Sequence, residues 1–216
     1  MDTSVVYIVD DDEGARTSLA WLLNSVDIRT ECFAGAAAFL DTYDPLLPGC
    51  LVLDVRMPEI SGFQLQERLN ALASELPIIF VSGHGDIPMS VRALQNGAVD
   101  FFEKPYNSQQ MLDRIQLTLK DVQSRHPERA RRAQLREKIK LLSPREREVL
   151  DRMLRGDVSK IIARELNISA RTVDVHRASI KDKLGCQSSA GLVRDVVLAF
   201  GPDILVASTG KPPGGR

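Results

Sequence analysis

Asp10-Asp11-Asp12, Asp54, Ser82 and Lys104 are the residues of this 216-residue chain whose types could do chemistry together. Each stands at or just after the end of a short β-branched run, so one sheet would carry them all to a single rim. Clustered carboxylates repel one another unless a cation lies among them, and a set of oxygen donors suits a hard ion such as Mg²⁺. A divalent metal beside Asp54, with a hydroxyl and an ammonium on the other side, is equipment for phosphoryl transfer. Metal and lysine neutralise the phosphoryl oxygens while a carboxylate attacks in line.

A second group of residues points to a polyanion. Residues 1–120 hold 8 Lys and Arg against 17 Asp and Glu, a net −9; residues 121–216 hold 20 against 12, a net +8. The overall charge of −1 conceals two modules with different partners. The three cysteines, Cys32, Cys50 and Cys186, are far apart and in no Cys-x-x-Cys pair, which argues against a disulfide framework and a zinc site. No apolar run approaches the ~18 residues of a membrane helix, and Met1-Asp2-Thr3-Ser4 does not begin a signal peptide; no membrane association and a cytoplasmic location are expected.

The elements that must position the acidic group are legible as alternation. Val5–Val9, Ile28–Phe33, Leu51–Leu53, Ile78–Val81 and Val99–Phe102 read as five strands. Amphipathic stretches lie between them, marked by Leu19, Leu22 and Leu23, then Phe63, Leu65 and Leu69, then Val91 and Leu94. Near-continuously apolar strands separated by helices predict α/β architecture, a doubly wound five-stranded parallel sheet with its site at the carboxyl ends of the strands. Met111, Ile115, Leu119 and Val122 predict a further helix after Asn107, interrupted or restarted at Pro127. Arg125–Lys140 is crowded with cations and reads as a solvated, partly helical spacer, with a phosphate-contacting arm as the other reading.

Beyond Leu142 only helical patterns occur: Ser143–Arg155, Val158–Leu166, Ser169–Leu184 and Ser188–Phe200. Ser143-Pro144 with Glu146, and Ser169, supply start signals, and Gly156 and Gly185 supply stops. On a wheel of about 100° per residue, Val173, Ile180 and Leu184 share one arc of the third segment. Arg171, Asp174, Val175, Ala178 and Asp182 lie opposite, flanked by His176, Arg177 and Lys181. Short central side chains bordered by cations suit a major groove, and the preceding segment completes a helix-turn-helix unit.

Two stretches resemble known families. Val9-Asp10-Asp11, Leu53 to Gly62 (LDVRMPEISG), Ser82-Gly83-His84-Gly85 and Phe101 to Pro105 (FFEKP) resemble the receiver domain of bacterial two-component response regulators. Leu142 to Leu150 (LSPREREVL) and Lys160 to Arg177, continuing to Lys183-Leu184-Gly185, resemble the LuxR-type DNA-binding domain. Together the chain is similar to NarL/FixJ-type response regulators, and the wording around His84-Gly85-Asp86 leans to the FixJ branch. The resemblance implies a CheY/flavodoxin-like receiver over 1–120 and a small all-α DNA-binding domain over 143–201. The crowded cations place a basic, helical linker over 121–142 between them, and the tail over 202–216, ending Lys-Pro-Pro-Gly-Gly-Arg, reads as disordered from its own sequence.

It further implies Asp54 as phosphoacceptor, with Mg²⁺ held by Asp10, Asp11, Asp54 and the Arg56 carbonyl. Lys104 would pair with the phosphate, and Ser82 and Phe101 would form the switch. Base contacts would come from Asp174, Val175 and Ala178, and phosphate contacts from Lys160, Arg171, Thr172, Arg177 and Lys181. Asp174 could instead orient Arg177 or Arg171. Leu192 and Val196 are expected to pair two copies on inverted half-sites, and Met89, Val91, Arg92, Gln95 and Asp100 to form a receiver pairing face. Asp12 and Glu13 suit the start of the first helix through its dipole, and His84 reads as a loop residue. The implied partners are a sensor histidine kinase, double-stranded DNA, RNA polymerase and a second copy of the chain once phosphorylated. The expected role is a transcription regulator, as an activator, and no enzyme in its own right. Two rivals stay open. A flavodoxin-like or metal phosphotransferase enzyme shares the strand pattern but would want a Gly-rich cradle where this loop is acidic. A pure interaction protein would use the basic half on a protein partner.

Overall fold

A computed structural model describes residues 4–83 and 87–200, in two compact units that divide between Pro127 and Glu128. His84 and the 202–216 tail lie outside the described residues.

The first unit is built on five strands: β1 (Val5–Val9), β2 (Arg29–Phe33), β3 (Gly49–Asp54), β4 (Ile78–Ser82) and β5 (Asp100–Glu103). They form one parallel sheet in the order β2-β1-β3-β4-β5. Because successive strand residues face opposite sides, the apolar runs divide by parity. Val5, Tyr7, Val9, Leu51, Leu53, Ile78 and Phe80 pack with α2 (Ala36–Thr42), α3 (Gly62–Ala71) and α4 (Ile87–Gln95). Val6, Ile8, Cys50, Val52, Ile79 and Val81 pack with α1 (Glu13–Asn24) and the first turns of α5 (Ser108–Lys140). Both faces are covered, which is why the central strands are apolar throughout.

Helix α2 escaped the sequence reading. It has seven residues, and Gly35 at its start offers no side-chain cap, so neither periodicity nor punctuation announced it. Its Phe39 is nevertheless fully buried against Tyr7, Phe33 and Tyr43.

The second unit comprises the end of α5 with α6 (Pro144–Leu154), α7 (Ser159–Leu166), α8 (Ala170–Leu184) and α9 (Ser189–Phe200). Ser143 caps α6 in a reciprocal box with Glu146, and Ser169 caps α8 through the Thr172 amide. Asn167 between α7 and α8 adopts a left-handed conformation, φ 53°, which makes the tight turn. The core gathers Val149, Leu150, Ile162, Val173, Ile180 and Leu184.

Three expectations are corrected here. Pro127 does not interrupt α5, which is helical from Ser108 to Lys140; the proline removes only the amide that would reach back one turn. The Arg125–Lys140 stretch read as a solvated spacer is not one throughout, since Leu135 is buried in the second core and Ile139 packs against it. Leu192 and Val196 are 0 % exposed in that same core, so they present no pairing face. On a helix packed along one side, residues three to four apart go inward together, and these are the inward pair. The apolar α9 side chains of its last two turns left half-buried or exposed are Val193, Val197, Leu198 and Phe200.

Candidate functional site

The acidic rim forms where the sheet order places it. Asp54 ends β3, Asp10 follows β1 and Lys104 follows β5, while Ser82 ends β4. The Lys104 amide donates to the Ser82 carbonyl (2.8 Å), continuing the β4–β5 ladder and fixing the lysine beside Ser82. Lys104 Nζ then donates to Asp10 Oδ2 (2.6 Å) and to Asp54 Oδ1 (2.9 Å). The second oxygen of Asp54 accepts the Arg56 amide (2.6 Å), and Asp10 Oδ1 accepts the Asp12 amide (3.0 Å). Gly62 at the start of α3 is required by packing, because a Cβ there would run into the Asp54 carbonyl oxygen.

Both carboxylates are buried, at 6 % exposure, and share one ammonium. Burial pushes the Asp54 carboxyl above its ordinary range, and Asp10 adds to that; Lys104 and the Arg56 amide pull down without cancelling it. Burial opposes the charge on Lys104, but its hydrogen bonds to Asp10 and Asp54 outweigh burial and raise it. The centre is therefore short of positive charge.

Its donors are all oxygen, which fits a hard divalent cation rather than zinc or copper. Among the described residues, however, no three acidic, His or Cys side chains converge as a ready metal group. Lys104 stands between Asp10 and Asp54. Asp11 is exposed and, with Arg56, lines a neighbouring groove of about 720 Å³ that also touches Met57, Phe63, Met89 and Arg92.

Ser82 is buried, at 1 % exposure, and Phe101 is half-buried with its ring 6.4 Å from that of Phe80. Asp12 caps α1 by accepting from the Gly14 and Ala15 amides, the helix-start role expected of it. Of the pairing-face residues, Val91, Arg92 and Gln95 are exposed, and Met89 packs against the core. Asp100 is paired with Arg114 at 2.8 Å.

In the second unit, Val173, Ile180 and Leu184 of α8 are buried as the wheel requires. Arg171, Thr172, Asp174, Val175 and Ala178 are exposed on α8, and so is Lys160 on α7; Arg177 and Lys181 are half-buried. Asp174 is not loose. Ser159 Oγ donates to its Oδ1 (2.7 Å), while Arg177 donates to Ser159 Oγ (3.2 Å) and to Ser189 Oγ (3.2 Å).

Sequence reasoning missed Ser159 and Ser189. As hydroxyls in the first turns of α7 and α9 they look like ordinary helix starts, and their partners lie on another helix. It also missed Arg16, whose guanidinium holds the Asp10 carbonyl (2.6 Å).

Known proteins match both units. Residues 6–116 match the family model described as the response regulator receiver domain, and residues 140–196 match that described as bacterial regulatory proteins, luxR family. The response regulator protein TodT of Pseudomonas putida is 45 % identical over 191 residues, 88 % of this chain and 84 % of the relative. The transcriptional regulatory protein FixJ of Bradyrhizobium diazoefficiens is 39 % identical over 189 residues, 88 % and 92 %. Among solved structures, the response regulator StyR aligns at TM-score 0.67 and 43 % identity, covering 90 % of this chain and 98 % of that one. Full-length FixJ from B. japonicum aligns at TM-score 0.54 and 38 % identity, covering 92 % and 98 %.

Proposed function

The chain belongs to the NarL/FixJ-type two-component response regulators, transcription regulators that join a receiver to a LuxR-type DNA-binding domain, and on that premise we propose that Asp54 accepts a phosphoryl group which controls when two copies bind DNA. One observation carries this reading: Asp54 Oδ1 lies 2.9 Å from Lys104 Nζ in a buried centre that holds more negative than positive charge.

The donor is a phosphohistidine on a sensor kinase. An oxygen of Asp54 attacks phosphorus in line, the phosphorus–nitrogen bond breaks, and the imidazole leaves with the electron pair. Lys104 moves from the carboxylates to a phosphoryl oxygen. Mg²⁺ bound by Asp10, Asp11, Asp54 and the Arg56 carbonyl would neutralise the remaining charge on the transferring group. Ser82 donates its hydroxyl to the new phosphoryl oxygen and Phe101 packs inward behind it, a two-state element biased by a local charge. Pairing then uses the outer side of α4, where Ile87, Val91 and Leu94 form an exposed apolar stripe beside Arg92, Gln95 and Asp100. On DNA, α8 enters the major groove, Lys160, Arg171, Thr172, Arg177 and Lys181 meet phosphates, and the target is two inverted half-sites. The protein acts as an activator that engages RNA polymerase from the cytoplasm.

Acetyl phosphate with Mg²⁺ should place one phosphoryl group on Asp54 and produce dimers in sedimentation, and Asp54→Asn should abolish both. Dimers that form equally well in the variant would overturn the scheme.

A further inference from the structure

Asp174 is an acid on the face of α8 that the proposed function turns toward DNA, where phosphates would repel it. Three contacts explain how it stays. Ser159 sits in the first turn of α7, so the carboxylate lies against the positive end of that helix and accepts the Ser159 hydroxyl at 2.7 Å. The same hydroxyl oxygen accepts from Arg177 at 3.2 Å, which brings a guanidinium to the other side of Ser159. Arg177 is in turn held by Ser189 at the start of α9 at 3.2 Å. The network reaches from α7 through α8 to α9 and fixes the acid in one orientation. Only Oδ1 is used; among the described residues, Oδ2 takes no protein donor.

An ionised carboxylate only accepts hydrogen bonds. In the major groove just two groups donate, the N4 amine of cytosine and the N6 amine of adenine. Adenine presents its N7 acceptor beside that amine, and a carboxylate set against both edges meets repulsion as well as attraction. Cytosine offers its amine beside an apolar edge. Val175, exposed at 62 %, follows Asp174 on the same helix and suits an apolar neighbour such as a thymine methyl.

Resting on the DNA-binding reading above, we infer that Asp174 reads a cytosine in each half-site through its free oxygen, and that Ser159 is the positioning residue that aims it. Arg177 is thereby both a phosphate contact and the counter-charge that makes an acid tolerable at the interface.

The test is selection from randomised duplexes with the full chain, activated by acetyl phosphate and Mg²⁺, with wild type, Asp174→Asn, Ser159→Ala and Ser159→Thr run in parallel. Wild type should enrich one cytosine per half-site, preferred over other bases by about tenfold. Asp174→Asn should move that single position to adenine, since an amide serves the N6/N7 edge, and should strengthen non-specific binding by removing a negative charge. Ser159→Ala should flatten the preference at that position alone, with unchanged thermal unfolding, and Ser159→Thr should restore it. If wild type enriches a motif that Asp174→Asn leaves unaltered, or Ser159→Ala keeps the full preference, this inference falls and the DNA-binding reading stands. If wild type enriches no sequence at all, both fall.

Discussion

Lys104 and Asp54 show how a residue's stability role and its chemical role separate. Asp10 and Asp54 are buried with one ammonium between them, so removing the ammonium leaves two uncompensated carboxylates, whereas removing one carboxylate relieves a repulsion. Lys104→Met is therefore expected to lower stability by about 1–3 kcal/mol in urea unfolding at neutral pH. Asp54→Asn is expected to leave stability equal or raise it while losing phosphoryl transfer. Equal destabilisation by the two variants would mean that the centre is built for structure. Residue types made this site legible, because Asp10, Asp54, Ser82 and Lys104 each follow a recognisable strand. The Lys104 contacts could not be read, since they join residues 94 and 50 positions apart and depend on the sheet order.

Among the helices of the second unit, Glu146 links two. It closes the box at the start of α6, with its carboxylate accepting the Ser143 amide (2.7 Å), and also accepts from Ser179 Oγ (2.8 Å) and Lys183 Nζ (2.8 Å) of α8. The Lys183 hydrogen bond, then those from the Ser143 amide and Ser179, hold its carboxyl down to about 2, against an ordinary 4.5. A depressed carboxyl stabilises the fold above its unfolded pKa and ceases to do so as pH falls through its folded one. Glu146→Gln should cost about 1 kcal/mol at pH 7, and the two proteins should converge in melting temperature between pH 4.5 and about 2. A gap that persists unchanged to the acid end would show that the carboxylate charge is irrelevant. Here the cap signal was legible because it is local, Ser143 and Glu146 being three residues apart; the bonds to α8 were not, because they span 33 and 37 residues. The same limit misassigned α9. A wheel shows that Leu192 and Val196 share a face, but only the position of the neighbouring helices says which face goes inward.

The whole molecule consists of two units, each enclosing its own apolar core, one around the sheet and one among the helices. Separate cores predict separate cooperative transitions. Calorimetry of the full chain should resolve two, with Lys104→Met displacing one and Glu146→Gln the other; a single transition displaced by both variants would contradict this. The charge division, net −9 over residues 1–120 and +8 over 121–216, was readable from composition and so was the expectation of two partners. Strand and helix periods, caps and the order of groups at strand ends were likewise properties of the chain itself, because each depends on residues within a few positions of one another. What only the tertiary structure decided is which distant groups meet: Lys104 between two carboxylates, Leu135 and Leu142 inside the second core, and Ser159 between Asp174 and Arg177. Those meetings are set by strand order and helix packing, which bring together side chains that no local pattern relates.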